Sequence, residues 1–486
     1  MKAIGYCVGV LAMAGALTIW GAPVLAQQYE AAGILNSAAK HLGTHGLNTL
    51  SYSAAGNSWS FGQPYSAGKA LPKQNYRVTR SIDFNAGVLA DAVVRSRAEP
   101  RGGGALPPVG ERSLTEAVGG NVSWNVDNMN VVPGNRYVAE RVPQIGMNPH
   151  GIIKAALKNN ATLTWTTEGR KSLGVVSFTE AGRYSAKAYI NDAFEVERIE
   201  ALIPNPVLGD VPVVTRFAEY RVFGAARFPT RIEETQDGQM TLQVVVTDVQ
   251  PNAKVDTTVP PAAANFRETV VPQKLADGVW LLGGGPHNSL AIEMKDHIVV
   301  AEAPLDDARA QPLIEQTRQL IPGKPIRYVL NTHVHLDHAG GLGAFAAEGA
   351  TIVTHQSNKG FYDRAFAARR TISPDALAKS KKKAVVRGVG DKFVLSDGNR
   401  SVEMHLVKGS IHTDGMMVMY LPREKLLVQA DMPTSLPPGA KPPAKPNPVL
   451  VNLAENVDRL KLDIDRIVPI HGAVHPYADV KRALGR

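Results

Sequence analysis

The chain has 486 residues, of which 44% are hydrophobic and 20% charged, and 53 Lys and Arg against 44 Asp and Glu give a net charge of +9. This composition excludes a disordered or collagen-like chain, and the length allows two or three domains. A surplus of that size gives a mildly basic surface and does not by itself indicate a nucleic-acid partner.

Residues 1–26 read as an export signal. Lys2 is followed by an apolar run from Ile4 to about Trp20 without a charge, and Val24 and Ala26 precede Gln27 at positions that suit cleavage. The run is short for a membrane span of about 20 residues. The expectation is a periplasmic or secreted chain cut after Ala26, with no stable membrane insertion. Cys7 is the only cysteine and leaves with the signal. No disulfide, thiol nucleophile or thiolate ligand then remains, so a metal must rest on His, Asp or Glu.

Residues 27–255 predict a strand-rich α+β domain, mainly one antiparallel sheet. Tyr29 to Leu42 has Ile34, Ala38 and Leu42 on one helical face, with Gly43 as the stop. Turn signals recur at Ala181-Gly182, Asn191-Asp192, Gly209-Asp210 and Asp237-Gly238. Residues 96–113, with Arg101-Gly-Gly-Gly104, predict an exposed loop. Trp59, Trp124 and Trp165 are candidates to line a groove, although buried aromatics more often belong to a core.

Residues 256–270 are the expected linker, overlapping the Pro- and Ala-rich stretch from Asn252 to Ala264. From 271 to 486 strands alternate with helices, an α/β pattern. Strands are expected at 279–282, 289–292, 297–301, 326–331 and 351–354, and helices at 306–321 and 341–348. Lys379 and the run 381–383 read as a solvated basic segment.

The chemistry concentrates in Thr332-His333-Val334-His335-Leu336-Asp337-His338-Ala339-Gly340-Gly341, directly after an apolar strand. Neighbouring imidazoles repel one another when protonated and are costly to bury, and a shared metal removes both penalties. His333 and His335 point the same way in extended backbone and can hold one ion. Asp337 and His338 follow as the chain turns and can hold a second. Three weaker signals come later in order: His412 in Gly409-Ser-Ile-His412-Thr-Asp414, Asp431 at the end of an apolar strand from Leu426, and His471 at the end of a strand from Arg466, followed by Gly472.

With these motifs in this order, residues from about 270 onward resemble the metallo-β-lactamase superfamily of metal-dependent hydrolases. The resemblance implies an αββα sandwich with the site at the sheet edges. It implies that His333, His335 and His412 hold one zinc, that Asp337, His338 and His471 hold a second, and that Asp431 bridges them. His475 rivals His471, which is preferred because it directly follows the strand and precedes glycine. Asp337 is the candidate to accept or relay a proton. Glu302 stands where many members place an aspartate and receives no role. Asp414 is a candidate to orient His412, since metal-bound imidazoles usually donate their other N–H to an acceptor. Residues 29–255 resemble bacterial lipoprotein-localisation carriers in the leading helix, the strand-rich middle and the stretch 217–246.

The expected activity is hydrolysis of an ester, thioester, lactone or amide by a zinc-bound hydroxide at a two-zinc centre, with iron or manganese as other metals that fit His and Asp. A zinc β-lactamase is a narrower alternative, and the absence of a mature cysteine excludes its cysteine-ligand class. A different alternative is an envelope lipid- or ligand-binding protein with a degenerate metal site. The expected partner is a small or amphipathic substrate, with the lysine run near the entrance. Residues 265–486, if they fold alone, are expected to keep zinc and small-ester hydrolysis but to bind a larger natural substrate poorly, because the first domain would shape the substrate's binding.

Overall fold

The computed structural model describes residues 22–98, 110–432, 436 and 440–486. The expected export signal lies outside the described residues as far as residue 21, and the helix Ala22–Leu42 begins there, across the expected cut. The expected exposed loop lies outside the described residues over 99–109. Among the described residues no helix is long and apolar enough to cross a membrane.

The first part of the chain builds a thirteen-stranded antiparallel sheet. Strands consecutive in sequence pair, except Asn130–Pro133 and Thr162–Glu168, which form the two edges of the sheet, and one further pairing lies at the centre. There the first strand, Thr49–Trp59, lies against the last, Gln239–Pro251, with Leu50 opposite Pro251 and Ser58 opposite Leu242. That pairing closes a segment of about two hundred residues into one unit. Successive side chains of a strand face opposite sides of the sheet, so Leu50, Tyr52 and Ala54 all face the same layer. That layer holds Leu35, Ala38 and Leu42 of the leading helix and Ile152, Ile153 and Ala156 of the helix Pro149–Lys158. The turns at 181–182, 191–192 and 237–238 each join paired strands, while Gly209 opens the strand Gly209–Phe223. Trp124 is buried in a small cluster with Ala117 and Ala263, and Trp165 is exposed.

After an irregular stretch and a single helical turn, Pro261–Ala264, the chain builds four layers. A seven-stranded mixed sheet runs from Val271–Ala276 to Val385–Val389, and a six-stranded one from Lys392–Ser396 to His475–Pro476. Their inner faces meet through Leu281, Val299, Leu330 and Val353 against Met404, Met419, Val428 and Val468. The helices Asp307–Leu320, Leu342–Glu348 and Gln356–Ala367 cover one outer face, and Pro448–Leu460 and Tyr477–Ala483 the other. The αββα architecture implied by the sequence is the one present. Strands Ile298–Ala301, Ile326–Leu330 and Thr351–His355 run parallel, as do Leu426–Gln429 and Arg466–Pro469. Parallel strands deliver their C-terminal ends to one edge of a sheet, where open α/β folds place their sites.

Candidate metal centre

Four of those strand ends carry the polar cluster. The strand Ile326–Leu330 leads into buried Asn331 and Thr332, then His333 and His335 in extended backbone, then a 3-10 turn, Leu336–His338. The turn is fixed from outside by Leu305 N–H, which donates to Asp337 O at 2.9 Å. Gly340 is required at its exit, because a Cβ there would lie 1.6 Å from Leu305 O. Glu302 follows the strand Ile298–Ala301, Asp431 comes two residues after Leu426–Gln429, and His471 two after Arg466–Pro469. Glu302 and Asp431 both adopt left-handed backbone, φ 65° and 55°. A residue other than glycine held there costs about 1–3 kcal/mol, a strain typical of functional positions.

The ligand atoms converge on Asp431. Its Oδ2 lies 3.0 Å from His333 Nε2, 2.9 Å from His338 Nε2 and 3.1 Å from His412 Nε2, and its Oδ1 lies 2.9 Å from His471 Nε2. Two groups result, His333, His335, His412 and Asp431, and His287, Asp337, His338 and His471, each with its donor atoms within 4.8 Å of one another. All seven residues marked as ligands in the sequence come together. His475 instead sits beside Pro476 O and Asp479, and His471 takes the position in the cluster.

Hydrogen bonds on the far sides of the rings settle which nitrogens face inward. His335 Nε2–H donates to Pro64 O at 3.0 Å, so its buried Nδ1, which has no hydrogen-bond partner, carries the lone pair. His471 Nδ1–H donates to Pro286 O at 3.0 Å, so its Nε2 turns a lone pair toward the Asp431 carboxylate. Lone pairs aimed at a carboxylate repel unless a cation lies between them, and the donor set therefore fits metal ions. His338 Nδ1 donates to Glu302 Oε2 at 2.8 Å, and Glu302 Oε1 accepts Thr332 N–H at 2.6 Å.

Burial lowers His335 and His287 to about 3, which keeps both imidazoles neutral and available as ligands. Burial would raise Asp337 and Asp431, but His338 and the surrounding imidazoles hold both carboxyls well below the usual range. The reverse balance holds His338 well above its ordinary value: burial lowers it, and Asp431 and Asp337 outweigh that.

Two residues of the C-terminal domain that sequence reasoning left out belong here. Glu302 orients His338. His287, buried with Nε2 3.2 Å from Asp337 Oδ2, joins the second group. It follows the strand Val279–Gly283 through Gly284-Gly-Pro, so its strand-end position is the same signal that marks the other ligands. Asn288 holds the opposing segment, donating to Pro469 O and Gly472 O at 3.0 and 2.8 Å. One expectation is corrected. Asp414 does not meet His412; its N–H donates to Tyr65 O at 2.6 Å, because a loop of the N-terminal domain occupies that side.

The cluster opens into a cavity of about 950 Å3 between the two domains. Asp337, Asp431 and His471 form its floor, and Trp59, Phe61, Tyr76 and Tyr137 are among the side chains of its other walls. Of the arginines facing it, Arg80 pairs with Asp91 at 2.7 Å, Arg95 with Glu116 at 2.8 Å and Arg112 with Asp127, and Arg141 donates to Ala117 O, Trp124 O and Asn125 Oδ1. The lysines expected near the entrance lie elsewhere, Lys379 in the helix Ala376–Ser380 and 381–383 in the exposed segment after it, and none lines this cavity.

A largely buried His/Asp cluster with two candidate donor groups thus lies at the edge of an αββα sandwich. Residues 282–471 match the family model of the metallo-beta-lactamase superfamily. The matched residues lie within the C-terminal domain, which carries the fold of that superfamily. The chain is 23% identical over 177 residues to the 2,4-dinitroanisole O-demethylase subunit alpha of Nocardioides sp. (strain JS1661), a match covering 36% of this chain and 50% of the relative. The chain thus spans half the length of that curated relative. Among solved structures it is similar to a metallo-beta-lactamase from Pontibacter korlensis, at 18% identity over 45% of this chain and 98% of the other, TM-score 0.34. It is also similar to the rubredoxin oxygen:oxidoreductase of Desulfovibrio gigas, at 18% identity over 44% of this chain and 60% of the other, TM-score 0.35.

Proposed function

We propose that the chain is an exported dinuclear zinc hydrolase that cleaves an ester, thioester, lactone or amide. The observation that carries this reading is Asp431, whose two oxygens meet imidazoles of both donor groups. His333, His335 and His412 would hold one ion, and Asp337, His338 and His471, with His287 beside them, a second. When bound, such a pair supplies an activated water and polarises the scissile carbonyl. Asp337 lines the cavity floor, where its carboxylate, besides serving as a ligand, is the candidate to accept a proton from water and pass it to the leaving group. The aromatic walls can hold a substrate against the cluster in one orientation. Zinc suits a set of imidazoles and carboxylates, and iron or manganese fits the same donors.

The aromatic lining and the name of the Nocardioides relative favour one further reading, cleavage of an activated aryl ether. Both are tested together by metal analysis of the purified chain and a screen of chromogenic esters, thioesters, lactones, nitrocefin and 2,4-dinitroanisole. Two equivalents of zinc and turnover of carbonyl substrates are expected. A chain that binds no metal and turns over none of these overturns the proposal in favour of a ligand-binding role. Mass spectrometry of the exported protein is expected to find Gln27 first, and a chain still starting at Met1 would refute export by cleavage.

A further inference from the structure

We propose that the 60–72 loop of the N-terminal domain is a built-in part of the metal centre, with Gln63 as a positioning residue for Asp337. The inference rests on reading the cluster as a metal site. The loop leaves the strand Thr49–Trp59 and crosses to the other domain, where its polar groups meet the His-x-His-x-Asp-His segment one after another. Gly62 O accepts Leu336 N–H at 3.1 Å, Gln63 Nε2 donates to Asp337 Oδ1 at 2.8 Å, and Pro64 O accepts His335 Nε2–H at 3.0 Å. Tyr65 then anchors the loop that carries His412. Its carbonyl accepts from Asp414 N–H at 2.6 Å and Thr413 Oγ1 at 2.7 Å, and its hydroxyl donates to Ser410 O at 2.8 Å.

Each contact has a chemical consequence. An Asp carboxylate is free to turn about its last torsion, and a ligand carboxylate works best when one oxygen is held. The Gln63 amide holds Oδ1, which leaves Oδ2 facing His287 and His338. Pro64 O accepts only, so it fixes the proton of His335 on Nε2 and keeps Nδ1 deprotonated. One held residue belongs to each donor group, so the loop touches both. Phe61 and Gln63 also line the cavity, so one segment both borders the substrate space and sets the ligand geometry. Close approach is built in at Gly62, which has φ +79° and would place a Cβ 2.6 Å from Leu336 Cδ1.

The test is titration of the full-length, metal-free chain with cobalt(II) and zinc, read by cobalt absorbance and chelator competition. Gln63→Ala is expected to weaken the ion held by Asp337, His338 and His471 by about 10–100-fold and to spare the other. Gln63→Glu, which sets a carboxylate against Asp337 Oδ1, is expected not to rescue it. Gly62→Ala, which must lift the loop off Leu336, is expected to weaken both ions. Gln63→Ala binding both ions at parental affinity overturns the proposal. So does equal weakening of both ions together with a lower Tm of the metal-free chain, which would make the loop a clamp between domains. A parental chain that binds no ion overturns the metal reading itself, a result distinct from both.

Discussion

Glu302 carries its effect through another side chain. Fully buried, it accepts the Thr332 N–H with one oxygen and the His338 imidazole with the other, so it fixes the start of the ligand segment and the orientation of one ring together. Glu302→Gln keeps the size but brings an NH2 against one of those two donors. A buried donor left unsatisfied costs about 1–3 kcal/mol, and loss of an orienting acceptor typically costs about 10–100-fold in metal affinity. The variant is expected to show both losses in thermal unfolding and in cobalt titration, and parental affinity would remove Glu302 from the site. His150 offers a separate test, far from the ligands. Its ring is buried against Phe228, and Nδ1 pairs with Thr44 Oγ1 at 2.8 Å. Burial, then Lys154, lowers it from 6.5 to about 4. A folded value below the unfolded one means that the unfolded chain takes up a proton first as pH falls, so stability drops between about pH 6.5 and 4. The expected loss is about 2–3 kcal/mol between pH 7 and 4.5. Urea unfolding of His150→Asn should show a correspondingly flatter profile, and an unchanged one would place the pH dependence elsewhere.

At the scale of elements, the site is where parallel strands end, and this was legible in the sequence because each ligand follows a short apolar run. Leu426–Gln429 before Asp431 and Arg466–Pro469 before His471 are strands in the structure as read from their residues. The turn signals of the N-terminal sheet were legible for the same reason, a local residue preference. His287 escaped because a run of glycines separates it from its strand, and Glu302 because it stands where many members of the family place an aspartate and so received no role. Gln63 and Pro64 were illegible: their partners lie about 270 residues away, and no local pattern encodes that pairing. The turn between the ligand segment and the helix Leu342–Glu348 gives the sharpest element-level prediction. Gly340 packs on the backbone of Leu305, and Gly341 N–H donates to Ala303 O at 2.9 Å. Backbone cannot step aside as a flexible side chain can, so Gly340→Ala is expected to cost at least the roughly 1–3 kcal/mol typical of overpacking. Because Leu305 also holds Asp337 O, metal affinity should fall with Tm. A variant with parental Tm and metal binding would show that the turn tolerates a side chain.

The two domains share the cavity and the hydrogen-bonding around the candidate ligands. The sequence leads to a first domain that shapes the substrate's binding, and the N-terminal domain does supply most of the walls of the cavity; it also supplies hydrogen bonds to one candidate ligand in each donor group, which the sequence does not suggest. The central pairing of Thr49–Trp59 with Gln239–Pro251 anchors the strand from which the 60–72 loop springs, so closure of the large sheet and position of the ligands are mechanically linked. On the proposed function, the sheet would then select the substrate. Trp59 lies at the end of that strand, facing the cavity, with Lys73 Nζ 5.5 Å from its ring centroid. Contacts remote from the reacting carbonyl contribute to rate only for substrates long enough to reach them. Trp59→Ala is therefore expected to lower kcat/KM for a bulky aromatic ester by about tenfold, roughly 1.4 kcal/mol of transition-state binding. The loss on a short acetate ester should be several-fold smaller, and metal content should stay at the parental level, because Trp59 meets neither donor group. Steady-state kinetics on the two esters, with metal analysis of the same preparations, separates the outcomes. Equal losses on both esters would mean that Trp59 acts through the loop and the ligands, and the cavity would lose its claim to choose the substrate.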